Sequence, residues 1–175
     1  MAEPDGLGEI RVPGSFELLY QRDYAAVVGL VYGMTGSRWV AEDLAQEAFL
    51  RAHRDWVRVG DMASPGGWVR RVALNLARSR WRRLRSETMA KLRVTSHVEV
   101  SNPLPDSEVE VFWTEVRRLP SRQAQAVALH YLEERSVAEI ADVLGVAEGT
   151  VKALLHQGRE RLRRQLRAKG LVDEI

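Results

Sequence analysis

Arg71, Arg78, Trp81 and Arg82 fall on one side of a helical stretch, and no other cluster in the chain so clearly pairs cationic with aromatic chemistry. Arginine neutralises phosphate and releases condensed counterions, while a tryptophan at the surface offers a face on which an unpaired base stacks. The bland alternative is that Trp81 folds back onto the core. A second polyanion-directed set lies near the C-terminus, where Lys152, Ala153, His156, Gln157, Arg163 and Arg164 share the side of a helix opposite Val151, Leu155 and Leu162. A third set has different chemistry. Asp43, Gln46, Glu47, Leu50 and Arg54 share one helix side, with two acids at i, i+4 and a leucine among them, a pattern that costs an isolated helix stability and fits a protein partner. Metal and acid–base catalysis find no such sets. The four histidines, at 53, 97, 130 and 156, have no ligand spacing, and Asp43 with Glu47 has no histidine close in sequence.

These sets need helices to hold them, and helical periodicity runs through the chain. Ser15 can cap a helix with Phe16, Leu19, Tyr20, Val27 and Val31 on its apolar stripe, ending near Gly36. A second spans about Trp39 to Trp56, with Ala41, Ala45, Ala48, Phe49, Ala52 and Trp56 inward. After a loop from about Val57 to Ala63, Ser64 and Pro65 open a third helix as cap and first-turn proline. Trp68, Val69, Val72, Ala73 and Leu76 form its inner side, and Leu74 falls on the outer side with the arginines and Trp81. Periodicity fades from Arg85 to about Asp106, where Pro103 and Pro105 break any helix. Beyond it, Val109, Phe112, Trp113, Val116 and Leu119 begin a C-terminal helical unit, divided by Pro120 from the next helix.

The segment from Leu132 to Leu166 is the most specific in the chain. Ser136 and Glu139 have capping-box spacing, Val137, Ile140, Ala141 and Leu144 form one helical stripe, Gly145 supplies the turn, and Val151, Leu154, Leu155 and Leu162 resume the period. That is a helix-turn-helix whose second helix suits a major groove. Such patterns also arise from plain helix packing, so charge segregation matters. Between Arg70 and Arg93 there are nine basic residues and one acid; from Val94 to Val116 there is no Lys or Arg; from Lys152 to Lys169 the basic run returns with Glu160 its one acid. Formal net charge is only +2. Two basic surfaces joined by an acidic connector point to a polyanion met twice.

Of the 175 residues 45% are hydrophobic, enough for one or two small cores, and no cysteine is present for disulfide or thiolate chemistry. The N-terminal MAEPDGLGEIRVPGS lacks an apolar signal region, and no run is long enough for a membrane span. The expectation is an all-α, cytoplasmic protein without cofactors. It has two small helical domains, 15–85 and 107–170, joined by a flexible acidic linker, 86–106.

In this order, AEDLAQEAFLRAHRDW at 41–56, PGGWVRRVALNLARSRWRR at 65–83 and the segment from Leu119 resemble the extracytoplasmic-function (ECF) type of RNA polymerase sigma factor. The resemblance implies a non-enzymatic initiation subunit with core RNA polymerase and promoter DNA as partners and an anti-sigma protein as a further candidate. It implies that Asp43, Gln46 and Glu47, with Leu50 and Arg54, dock on the polymerase clamp. Arg71, Asn75, Arg78, Trp81 and Arg82 would hold the opened −10 strand. Glu148, Gly149, Thr150 and Lys152, followed by His156 and Arg159 and aided by Arg122, would meet the −35 element, and the acidic linker would thread the RNA exit path. Departures from the family pattern lie in the second domain. Ala147 stands where serine is usual, and Ala124, Leu154 and Gln157 where arginine is common. Two other classes compete: a helix-turn-helix repressor or response-regulator output domain, which would need a sensory or dimerising domain, and, less favoured, an enzyme.

Overall fold

The computed structural model describes residues 15–92 and 108–170, with side chains placed as far as Leu84 in the fourth helix. The connector's acidic core and residues 1–14 lie outside the described residues. Among the described residues there are eight helices and no strand: α1 Phe16–Thr35, α2 Arg38–Arg54, α3 Trp56–Val59, α4 Pro65–Leu92, α5 Glu108–Arg118, α6 Ser121–Glu133, α7 Val137–Leu144 and α8 Glu148–Ala168. No described helix is long and apolar enough to cross a membrane.

Local signals set most boundaries. The Ser15 hydroxyl accepts from the Leu18 N–H at 3.2 Å, and Gly36 closes α1 in the left-handed conformation at φ 68°, where a Cβ would be strained. Ser37 caps α2 through the Val40 N–H. Two boundaries differ from the sequence reading. The short helix α3 takes the first part of the stretch expected as loop, and α4 runs on to Leu92, into the stretch expected as linker. Residues 86–92, SETMAKL, carry no proline or glycine. Losing apolar periodicity there removed the sign of packing, not the helical propensity itself.

The N-terminal unit, α1 to α4, packs around Leu19, Val27, Val31, Phe49, Val59, Val69 and a run of alanines. Ala41, Ala45, Ala48 and Ala52 are all fully buried, and such small side chains let α2 lie close against its neighbours. Phe16 meets Trp56 edge-on at 5.6 Å, tying the start of α1 to α3. The C-terminal unit, α5 to α8, surrounds Val116, Leu129, Ile140, Val151, Leu155 and Leu162. At Gly158 on α8 a Cβ would sit 3.0 Å from a Val127 methyl on α6, so glycine sets how closely these helices cross.

The two units are packed on each other. Leu30 of α1 and Leu74 of α4, both at 1% exposure or less, belong to the C-terminal unit's apolar cluster. Leu74 is therefore not on a solvent-facing side as the helical wheel indicated: the C-terminal unit covers it. The Gln125 amide donates to the Leu74 carbonyl at 3.3 Å, and Gly33 lies under Leu132 and Trp113. Alongside the apolar contact runs a buried ion cluster. Arg70 Nε lies 2.8 and 2.7 Å from the two oxygens of Glu133 across the boundary, and its Nη2 lies 3.5 Å from Asp23 within its own unit. Arg22 holds Asp23 at 2.8 Å and Arg135 holds Glu133 at 2.7 Å.

Candidate partner and nucleic-acid interfaces

On α2 the inward side is core, and the opposite side is open. Asp43, Gln46, Leu50 and Arg54 are exposed, and Glu47 is half-buried. Arg51 donates to Glu47 at 2.7 Å, offsetting the repulsion that Asp43 and Glu47 would otherwise impose. Asp43 makes no ion pair among the described residues. Leu50, at 51% exposure, sits uncovered in this strip. The structure adds Trp39, 72% exposed and one helical turn before Asp43. Sequence reasoning passed over it, although its spacing of four, seven and eleven residues from Asp43, Gln46 and Leu50 places it on the same line.

The second surface is the face of α4 expected to meet DNA. Ser64 Oγ accepts from the Gly67 N–H at 3.1 Å, with Pro65 in the first turn. Gly66 is needed because a Cβ there would lie 2.5 Å from an Asp23 carboxylate oxygen. Arg70 Nη1 donates to the Gly66 carbonyl at 3.1 Å. Burial pushes the Asp23 carboxyl up, but the hydrogen bond from Arg22 and the charges of Arg70 and Arg22 outweigh it and hold that carboxyl below its ordinary range.

The five α4 candidates are not equally free. Arg71, Asn75 and Arg82 are exposed. Arg71 donates through Nε to the Val143 carbonyl at 2.8 Å and through Nη2 to the Asp142 carbonyl, capping the C-terminus of α7 in the other unit. Arg78 is partly buried, and its Nε has no hydrogen-bond partner among the described residues. Trp81 takes neither sequence-derived extreme: 41% exposed, it lines a cavity of about 30 Å³ between the units with Met34, Arg117, Leu119, Ser121 and Ala124.

The third surface is the helix-turn-helix. The Ser136 hydroxyl accepts from the Glu139 N–H at 3.3 Å, and the Glu139 carboxylate accepts from the Ser136 N–H at 2.9 Å. The bond from the Ser136 N–H, and after it one that the Ser136 hydroxyl donates to the same carboxylate at 2.9 Å, hold the Glu139 carboxyl below its usual range. Gly145, at φ 65°, ends α7 and donates to the Ala141 carbonyl at 2.8 Å. Glu148, Gly149, Thr150, Lys152 and His156 then stand exposed along the start of α8. Arg122 and Arg159 flank this face and are engaged elsewhere. Arg122 donates to the Leu144 carbonyl at 3.2 Å, and Arg159 donates to the Tyr131 hydroxyl at 3.1 Å. Leu154 packs against the core. Ala124 is 1% exposed, so its position presents nothing to a phosphate in this packing. Gln157 accepts from the Gln123 amide at 3.0 Å. No cluster of three or more potential metal ligands occurs among the described residues.

Ala147 has the extended backbone of an N-cap, φ −69° and ψ 151°, but no side-chain cap bond. Ala147→Ser should raise the stability of the chain by about 1 kcal/mol, the usual contribution of such a cap. It should also tighten duplex binding at an unchanged sequence preference, because the hydroxyl lies where phosphate is favoured and phosphate contacts do not specify bases. Thermal unfolding and a competition assay over −35 variants read the two effects. A lower melting temperature would contradict the cap assignment, and an altered preference would place residue 147 at base edges.

The family model for Sigma-70 region 2 matches residues 19–87, and that for Sigma-70, region 4 matches residues 110–162. The ECF RNA polymerase sigma factor SigW of Bacillus subtilis is 32% identical over 152 residues, covering 79% of this chain and 81% of the relative. SigM of Mycobacterium tuberculosis is 31% identical over 157 residues, covering 87% of this chain and 77% of the relative. The fold resembles that of the sigma factor RpoE from Bartonella quintana, solved with the anti-sigma factor NepR, at a TM-score of 0.65 and 21% identity, covering 87% of this chain and 96% of that one. It also resembles CnrH, solved with the cytosolic domain of CnrY, at a TM-score of 0.60 and 20% identity, covering 87% and 88%. A non-enzymatic initiation factor is favoured over a repressor, and the chain belongs to the ECF RNA polymerase sigma factors, which bind core polymerase and direct promoter-specific initiation.

Proposed function

We propose that the three surfaces divide the work of initiation. The α2 strip of Asp43, Gln46, Glu47, Leu50 and Arg54 docks on core polymerase. The α4 face of Arg71, Asn75, Arg78, Trp81 and Arg82 holds the opened −10 strand. The start of α8, through Glu148, Gly149, Thr150, Lys152 and His156 with Arg122 and Arg159 at its flanks, engages the −35 element. The observation that carries this reading is the exposure of Asp43, Gln46 and Leu50 on a helix whose other side is entirely core. Such work places the protein in the bacterial cytoplasm with polymerase and chromosome. An anti-sigma factor is a further partner class, in keeping with the complexes in which the two structural relatives were solved.

The division between the two DNA surfaces is testable. Trp81→Ala in the holoenzyme should impair opening of a duplex promoter and strand capture by roughly 1 to 3 kcal/mol per stacked base. Recruitment through α8 should change little. Permanganate footprints and initiation rates on duplex and premelted templates separate these steps. A loss of duplex recruitment as large as the loss of strand capture would make Trp81 a packing residue of the boundary between the units.

A further inference from the structure

We infer that the last two turns of α8 clamp the phosphate backbone beside the −35 element through Arg164 and Arg167, a contact that holds the duplex without reading it. The inference rests on the proposed entry of the start of α8 into the −35 site. Projected at about 100° per residue, Gly149, Ala153, His156, Arg164 and Arg167 lie on one side of the helix, opposite the buried Val151, Leu155 and Leu162. All five are exposed. The face proposed to engage the element therefore continues, as cation, to the end of the helix.

Lengths decide what that extension meets. The helix has 21 residues, roughly 31 Å at 1.5 Å per residue, whereas the major groove is only about 12 Å wide. Arg164 and Arg167 lie about 12 and 16 Å beyond His156 along the axis. They stand past the groove, within a long side chain's reach of the backbone that bounds it. What a guanidinium finds there is phosphate oxygen.

Neighbouring charges leave these two arginines free for that contact. Arg159 donates to the Tyr131 hydroxyl at 3.1 Å. Glu160 shares the DNA-facing side and would repel phosphate, but Arg163 donates to its carboxylate, so that pair adds no net charge. Arg164 and Arg167 make no hydrogen bond or ion pair among the described residues. Duplex is favoured over an acidic protein because the arginines continue a face whose earlier residues are assigned to DNA.

The probe is a duplex carrying the −35 element of a promoter mapped by run-off transcription, bound by holoenzyme assembled from core polymerase and the full chain. Arg164→Gln with Arg167→Gln removes two phosphate contacts, so the slope of log affinity against log salt should become shallower by about 1.8, at ~0.9 per phosphate. The parent's advantage over this variant should then shrink roughly tenfold between about 50 and 200 mM salt. At any one salt concentration the factor lost should be the same for every single-base variant of the element, since phosphate contacts carry no sequence information. Arg164→Lys with Arg167→Lys keeps both charges and should keep the slope. Glu160→Gln should act in the opposite sense, releasing Arg163 and steepening the slope by about 0.9. Arg161→Gln removes an exposed charge from a different side of α8 and should leave the slope unchanged.

A parent-like slope in the double glutamine variant would overturn the clamp and leave the two arginines to an acidic protein surface. An equal change in Arg161→Gln would also overturn it, reducing the effect to the general charge of the helix, and a loss that varies from base to base would place the arginines at base edges. Failure of the parent to prefer the element over a scrambled duplex would remove the −35 assignment of α8 and the clamp with it. A preserved preference with an unchanged slope would remove the clamp alone.

Discussion

Arg70→Ala is expected to destabilise the chain by about 3 kcal/mol, the lower end of the range for removing one partner of a buried ion pair. The side chains of Arg70 and Glu133 are 5% and 7% exposed, and Arg70 contacts both Glu133 and Asp23. Removing it leaves two carboxylates facing a desolvated gap. The loss stays at the low end because Arg22 still holds Asp23 and Arg135 still holds Glu133. Arg70→Lys should recover part of the loss, since an ammonium returns the charge without the planar fork that meets both Glu133 oxygens. Urea unfolding of the three proteins checks the order, and a loss below about 1 kcal/mol for alanine would mean that the cluster is solvated and weak.

The same substitution should alter the acid limb of stability. In the parent, the Asp23 carboxyl is held below its ordinary range against the upward push of burial. Its contribution is therefore complete above the unfolded value and is lost as pH falls through the lowered folded value. Without Arg70, burial keeps pushing upward while one opposing charge is gone. The folded value rises, the contribution shrinks, and acid unfolding should begin at a higher pH.

What the sequence made legible was whatever is decided within a few residues. The Ser136–Glu139 box, the Gly36 and Gly145 turns, the Ser64–Pro65 start and the uncapped Ala147 all depend on local backbone chemistry, and the structure has each where it was read. Features decided by packing between the units were not legible. A helical wheel separates the sides of α4 but cannot say that the outer side meets another unit, so Leu74 read as exposed and Arg70 read as part of a phosphate-facing block. In the fold Arg70 is 4% exposed and committed to carboxylates. Arg71, Arg122 and Arg159 likewise carry the charge suited to DNA but are occupied by carbonyls or a tyrosine hydroxyl. Gly33 gave no signal, because its importance lies in Leu132, far along the chain.

The largest effect on function is expected from Asp43→Ala combined with Gln46→Ala. Residues at the centre of a protein interface commonly contribute 2 kcal/mol or more, so core polymerase binding should weaken by roughly 30-fold or more. Stability should barely move, since both side chains are exposed and surface substitutions usually stay within about 0.5 kcal/mol. Alanine is also the better helix former at both positions. Binding measured against purified core polymerase, with circular dichroism as the control for folding, checks both halves. Loss of helical signal, or parent-like affinity, would remove the α2 strip from the interface.

The central claim is that this chain confers promoter selection on core polymerase, and run-off transcription with purified core enzyme tests it most directly. Adding the chain should produce transcripts from defined start sites that core enzyme alone does not make, and Asp43→Ala with Gln46→Ala should abolish them at limiting concentration. Transcription unchanged by the chain, together with tight sequence-specific duplex binding by the free protein, would contradict the account and identify a repressor.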